Sequence, residues 1–162
     1  GYAADLGVWD EVLLDAFQGV DLLALEFNHD VDLENRSPRP RFLIDRVLGD
    51  HGHLSNDQGA EFLRCLLARE SSPRLASLVQ LHLSNDCNRP ALARQSAQRV
   101  LDEAETSLTI HTARQDAALK TIDLTRTTRR KSTRSGKARS ISVQPFLPGM
   151  ENERLGMENE RP

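Results

Sequence analysis

The sequence predicts an α/β fold, and two observations carry that reading. Two continuous apolar runs of strand length, Asp21 to Phe27 and Leu75 to Leu81, alternate with segments of helical periodicity. Each run gives out onto polar residues able to do chemistry: Glu26-Phe27-Asn28-His29-Asp30 after the first, His82-Leu83-Ser84-Asn85-Asp86 after the second. In an open α/β sheet, sites form where the strands end. The run His82 to Asp86 is also a full copy of His53-Leu54-Ser55-Asn56-Asp57, and a repeat of His, Ser, Asn and Asp is not expected from drift in a solvated loop.

In chain order, Tyr2 to Ala4 reads as the end of a strand and Asp5-Leu6-Gly7 as the turn after it. Trp9 to Gln18 puts Trp9, Val12, Leu13, Ala16 and Phe17 on one helical face, with Gly19 positioned to end the helix. The strand Asp21–Phe27 is followed by a loop from Asn35 to Pro40, where prolines interrupt any periodicity. Arg41 to Leu48 forms a short helix with Phe42, Leu43, Ile44 and Val47 as its apolar side. Asp57 to Arg69 is a second helix that buries Ala60, Phe62, Leu63, Leu66 and Leu67. Pro90 suits the first turn of a helix running to Ala104. Ser107 to Thr112 and Ala118 to Leu124 are the last two expected strands.

From Arg126 the character changes. Arg126, Arg129, Arg130, Lys131, Arg134, Lys137 and Arg139 occur among Ser, Thr and Gly without an acidic residue, and Gly149 to Arg154 is repeated as Gly156 to Arg161. Neither stretch holds enough apolar surface to offset the entropy of ordering. The expected organisation is therefore a folded domain over residues 1–125 and a disordered, basic, then repeat-containing tail over residues 126–162. The basic run is either a solvated tail or an arm that binds phosphates without sequence preference, with Arg129, Arg130 and Lys131 at its centre.

The 162 residues suffice for one domain with a core, and the formal net charge of −3 conceals that basic run. Aromatics make up 4% of the chain and mean hydropathy is −0.50, as expected if part of the chain stays outside the core. No apolar run reaches membrane-spanning length and no signal-peptide pattern is present, so no membrane partner is expected. Cys65 and Cys87 have no metal-ribbon or redox spacing, which fits a reducing, cytoplasmic setting. The chain starts at Gly1 without Met, in what reads as the middle of a strand, so a fragment or processed product is expected.

Candidate chemistry rests on few residues. Asp5 and His82 stand at strand ends, where a carboxylate and an imidazole can face a metal ion; the competing readings are a capping aspartate and a histidine bonded within the core. His51-Gly52-His53 has the spacing of two metal-binding histidines, but two imidazoles do not hold zinc tightly without further ligands. Glu26 is either a site carboxylate or one neutralised by a nearby arginine or the backbone.

Four segments in order, Ala4 to Gly7, Glu26 to Asp30, Gly52 to Asn56, and His82 to Ser84 with Asn88, resemble the C-terminal half of a metallo-β-lactamase-fold hydrolase. The branch they resemble is the YycJ/WalJ-like one, related to tRNase Z and to small phosphodiesterases of that superfamily. The resemblance covers roughly Gly1 to Leu124 and implies half of an αββα sandwich. It also implies that Asp5 bridges two divalent metal ions, zinc or manganese, and that His82 is the last metal-binding histidine. His53 would contact the scissile phosphate and protonate the leaving oxygen, with Glu26 orienting it. Asn28 and His29 belong to the branch signature, while Ser55, Ser84 and Asn88 would hold loops around the site. The implied activity is metal-dependent hydrolysis of a phosphodiester or nucleic acid. The superfamily's H-x-H-x-D-H signature is missing, because Ser55 and Asn56 stand where it needs the next ligands. That motif is expected in an N-terminal half upstream of Gly1, and the chain alone is expected to be inactive. Two alternatives stay open: a catalytically inactive half-domain that binds a partner or nucleic acid, and an ester or thioester hydrolase of the same fold.

Overall fold

The computed structural model describes residues 1–69 and 74–124. The expected tail over residues 126–162, with Arg129, Arg130 and Lys131, lies outside the described residues. Four parallel strands form one sheet in the order β1 (Tyr2–Ala3), β2 (Leu22–Glu26), β3 (Ser77–Leu81) and β4 (Thr109–Thr112). Spatial order follows chain order, so each strand reaches its parallel neighbour through a helical crossover. The crossovers are α1 (Glu11–Ala16), then α2 (Val31–Asn35), α3 (Arg41–Leu48) and α4 (Asn56–Arg69), and finally α5 (Pro90–Glu103).

Side chains on a strand alternate between the two faces of the sheet. One face carries Leu23, Leu25, Leu78, Gln80 and Ile110, all buried. Against it pack Leu63, Leu66, Ala93, Ala97, Val100 and Leu101 of α4 and α5, in a single core cluster. Gln80 is tolerated there because its amide donates to the Ala93 carbonyl and its oxygen accepts from the Thr112 hydroxyl at 2.8 Å. The other face is less covered: Val79 is buried, Leu22, Ala24, Leu81 and His111 are half-buried, and Tyr2 is exposed. Parallel sheets are usually covered on both faces. A sheet covered by helices on one side and left partly open on the other is what half of an αββα sandwich presents.

The helices begin where short polar side chains cap them. Asp10 accepts the Leu13 amide and Asp30 the Leu33 amide, each a side-chain cap worth about 1 kcal/mol. Ser55 and Gln58 form a reciprocal box at α4: Ser55 Oγ accepts the Gln58 amide and Gln58 Oε1 accepts the Ser55 amide at 2.8 Å. Pro90 opens α5.

The structure departs from the sequence reading at four places. The first helix starts at Glu11 and turns Leu14 and Phe17 inward, leaving Val12 and Ala16 exposed. So short a window does not fix a helical face. Phe42 is exposed while Ile44 is buried, because α3 touches the domain along one narrow stripe. The short α2 is not foreseen by the sequence reading; its Asp30 cap is the available signal. Ala118 to Leu124 is not a strand: it is mostly exposed and joins none of the four strands of the sheet. Its alternation of apolar and polar residues lacks a sheet edge to join.

Candidate metal centre

All the strand-borne candidates lie at one edge of the sheet, where β1, β2 and β3 end. Asp5 follows β1, Glu26 is the last residue of β2, and His82 follows β3 directly. Asp5 and His82 take φ values of 59° and 57°, the left-handed region that side chains avoid, at a cost of about 1–2 kcal/mol each. Two such residues side by side at the end of a sheet mark a place where geometry has been favoured over backbone comfort. His53 arrives from the loop between α3 and α4.

Close backbone packing brings that loop to Asp5. A Cβ at Gly7 would run into the Asp50 carbonyl and the Gly52 amide, and one at Gly52 would run into the carbonyls of Arg46 and Val47. Only glycines allow the turn at residues 5–7 to rest on the loop at residues 50–52, and that contact sets Asp5 beside His53.

Asp5 Oδ1 lies 3.8 Å from His53 Nδ1 and 3.6 Å from His82 Nδ1. The imidazoles of His53 and His82 meet edge to face, with centroids 4.9 Å apart. Beneath them sits Glu26, wholly buried. Its Oε2 accepts the Leu6 amide at 2.7 Å and its Oε1 accepts His82 Nδ1 at 2.8 Å. His53 Nδ1 is 2.9 Å from the same Oε1 but out of line for a hydrogen bond, and it is left buried without a partner. Glu26 therefore orients His82, whereas the sequence resemblance gave it to His53. A carboxylate acceptor keeps the proton on His82 Nδ1 and leaves the Nε2 lone pair facing outward.

Asp5, His53 and His82 each offer a ligand atom within 4.8 Å of the others. One carboxylate and two imidazoles suit zinc or manganese by donor type, and the orphaned His53 Nδ1 is an atom that a cation would satisfy. Asp5 is exposed, His82 is 40% exposed at its side chain and His53 30%, so the group is reachable from solvent. Of the other histidines, His29, His51 and His111 stand outside this group among the described residues. Burial pushes the Cys65 thiol up to about 11 and raises that of Cys87, so neither offers a thiolate near neutral pH.

The remaining polar residues tie the loops down. The segment past β2 is held on both sides: the Asn28 amide donates to the Leu54 carbonyl, and the Asn28 carbonyl accepts the Ser84 amide, both at 2.8 Å. The two copies of the His-Leu-Ser-Asn-Asp run thus flank one extended residue. Asn28 Nδ2 donates to the His82 carbonyl at 2.7 Å, bracing its left-handed backbone. Buried Asn88 donates to the Phe27 and Asn28 carbonyls and exchanges bonds with Asn56. Ser84 Oγ accepts the Cys87 amide. His29 is buried, bridges backbone to Ser55, and has no hydrogen-bond partner for either ring nitrogen among the described residues. Burial lowers its pKa most, so the ring is held neutral. Glu34 is buried in the same region, paired through both oxygens with Arg39 at 3.2 Å; neither residue stands out in the sequence.

A parallel α/β layer with a carboxylate and two imidazoles gathered at its strand ends has the architecture of the C-terminal half of a metallo-β-lactamase-type domain. No family model matches the chain. Curated relatives do. The chain is similar to an exodeoxyribonuclease, YycJ, of Bacillus anthracis, at 29% identity over 99 residues, which is 61% of this chain and 36% of that protein. It is similar also to exodeoxyribonuclease WalJ of Streptococcus pneumoniae, at 30% identity over 101 residues, 62% of this chain and 36% of the relative. The resemblance to the YycJ/WalJ-like branch thus rests on aligned sequence as well as on motifs, and the chain spans little more than a third of the length of these relatives.

Proposed function

We propose that this chain carries part of a metal-dependent phosphodiester hydrolase, a nuclease when the rest of the domain is present. The observation that carries the reading is the convergence of Asp5, His53 and His82 above the buried Glu26 carboxylate. The similarity to two proteins named exodeoxyribonucleases supports DNA as the substrate class. Asp5 and His82 would hold divalent metal, which when bound supplies positive charge to the phosphate and an activated water. Glu26 fixes the tautomer of His82 and anchors the Leu6 turn that carries Asp5. His53 is positioned to give a proton to the oxygen that leaves as the P–O bond breaks, while water supplies the new P–O bond.

Three donors are fewer than a two-metal site needs, so the isolated chain is expected to bind metal weakly and to lack appreciable activity. The test is to titrate the chain with zinc and manganese, and to assay double-stranded DNA and a simple phosphodiester. The same assays are then run on a longer protein that supplies an H-x-H-x-D-H segment. Weak metal binding abolished by Asp5→Ala and His82→Ala, with activity only in the longer protein, is the expected pattern. Metal binding indifferent to both substitutions would sink the assignment.

A further inference from the structure

Beside the candidate metal centre lies an open cleft of about 330 Å³ that shares Asp5 and His53 with it, near the lower bound of small-ligand sites. Its wall is a single face of α3, where Leu43, Arg46 and Val47 follow at the i, i+3, i+4 spacing that brings side chains together. His51 lines the cleft where the chain leaves α3. This stripe puts a cation between two aliphatic side chains. Arg46 has no carboxylate partner among the described residues, whereas Arg41 on the same helix pairs with Asp45 at 2.7 Å. An unpaired guanidinium on a solvent-reached cleft is suited to phosphate, which its planar fork can grip through two parallel bonds.

We propose that this cleft holds the nucleotide next to the scissile bond, with Arg46 on its phosphate, His51 beside it, and Leu43 and Val47 against the sugar and base. The proposal rests on the phosphodiester reading above and adds a substrate-binding site to it. Contact with phosphate and with apolar faces carries no base code, so binding here is expected to be indifferent to sequence.

The experiment uses the 162-residue chain and thymidine 3′,5′-bisphosphate, with a chelator present so that no metal contributes, followed by amide NMR spectra. Shifts at Val47, His51, Gly52 and His53 are expected on titration. Arg46→Ala should weaken binding about tenfold or more, the loss expected for a bond to a charged group. Arg46→Lys keeps a positive charge in the last turn of α3, so it should unfold as the wild type does yet bind several-fold more weakly. A manganese titration of the same samples separates the two readings. Unchanged nucleotide affinity in the Arg46→Ala variant, or no shifts in this loop, overturns the cleft even if manganese binds. Loss of nucleotide affinity in a chain that binds no manganese upholds the cleft and overturns the metal centre.

Discussion

Replacing Glu26 by Gln keeps shape and volume and removes only charge, which isolates what the buried carboxylate does. Both of its oxygens are committed: Oε2 to the Leu6 amide at 2.7 Å and Oε1 to His82 Nδ1 at 2.8 Å. A carboxamide has one acceptor to offer. If its NH₂ turns toward Leu6, two donors face each other at hydrogen-bond distance. If it turns toward His82, Nδ1 must accept instead, the ring proton moves to Nε2, and the outward nitrogen loses the lone pair a metal needs. Either way one charge-assisted bond is lost, about 1.5–3 kcal/mol. Groups that orient a metal-binding histidine typically account for about 10–100-fold in affinity. Urea unfolding without metal should give a lower midpoint with unchanged slope, and a cobalt titration should show weaker binding. A Glu26→Gln variant with the wild-type midpoint and wild-type cobalt affinity would refute the role given to Glu26.

Three further outcomes are expected. Asp5→Gly should raise stability by about 0.5 kcal/mol while removing metal binding, because residue 5 sits at a φ of 59° that glycine adopts freely; thermal unfolding and a metal titration on one sample check both. Gly7→Ala should cost about 1–3 kcal/mol and weaken metal binding, since its Cβ would push the Asp5 turn off the Asp50 carbonyl; an unchanged urea midpoint would contradict it. For His29, burial sets the folded pKa below the ordinary 6.5, so the unfolded chain takes up the proton first. Its contribution to stability is then complete above about pH 6.5 and is lost as pH falls toward the folded pKa. Urea midpoints at about pH 8 and about pH 5.5, on either side of that ordinary value, should differ less in His29→Leu than in the wild type.

Legibility followed from how local each cause was. The buried strands β2 and β3 could be read because several apolar residues in a row have few other uses, and the register of their ends then put Glu26 and His82 at one edge. The ends of α4 and α5 were written in local signals, a Ser-Gln box and a proline. The faces of α1 and α3 were misjudged because each is short and touches the domain through few residues, so Val12 and Phe42 look like core in a periodicity count. The pairing of Glu26 with His82 rather than His53 was not legible. The two histidines occupy the same place in identical runs, and the choice between them depends on loop packing. The Gly7 and Gly52 contact that carries Asp5 to His53 is likewise a meeting of segments far apart in the chain.

The identical runs at residues 53–57 and 82–86 do not share a backbone. His82 is left-handed, whereas His53 is absent from the positive-φ residues; the first run goes on into fourteen helical residues, the second into a turn. In both, the serine oxygen accepts the amide three residues on. What separates them stands just outside the repeated word: Gln58 returns a bond to the Ser55 amide, and the Cys87 side chain is too short and too weak an acceptor to do the same for Ser84. Five residues here spell a loop that delivers an imidazole, and the sixth determines what the chain becomes afterwards. Exchanging Gln58 and Cys87 would therefore rewrite the continuation of each run while leaving the word itself untouched.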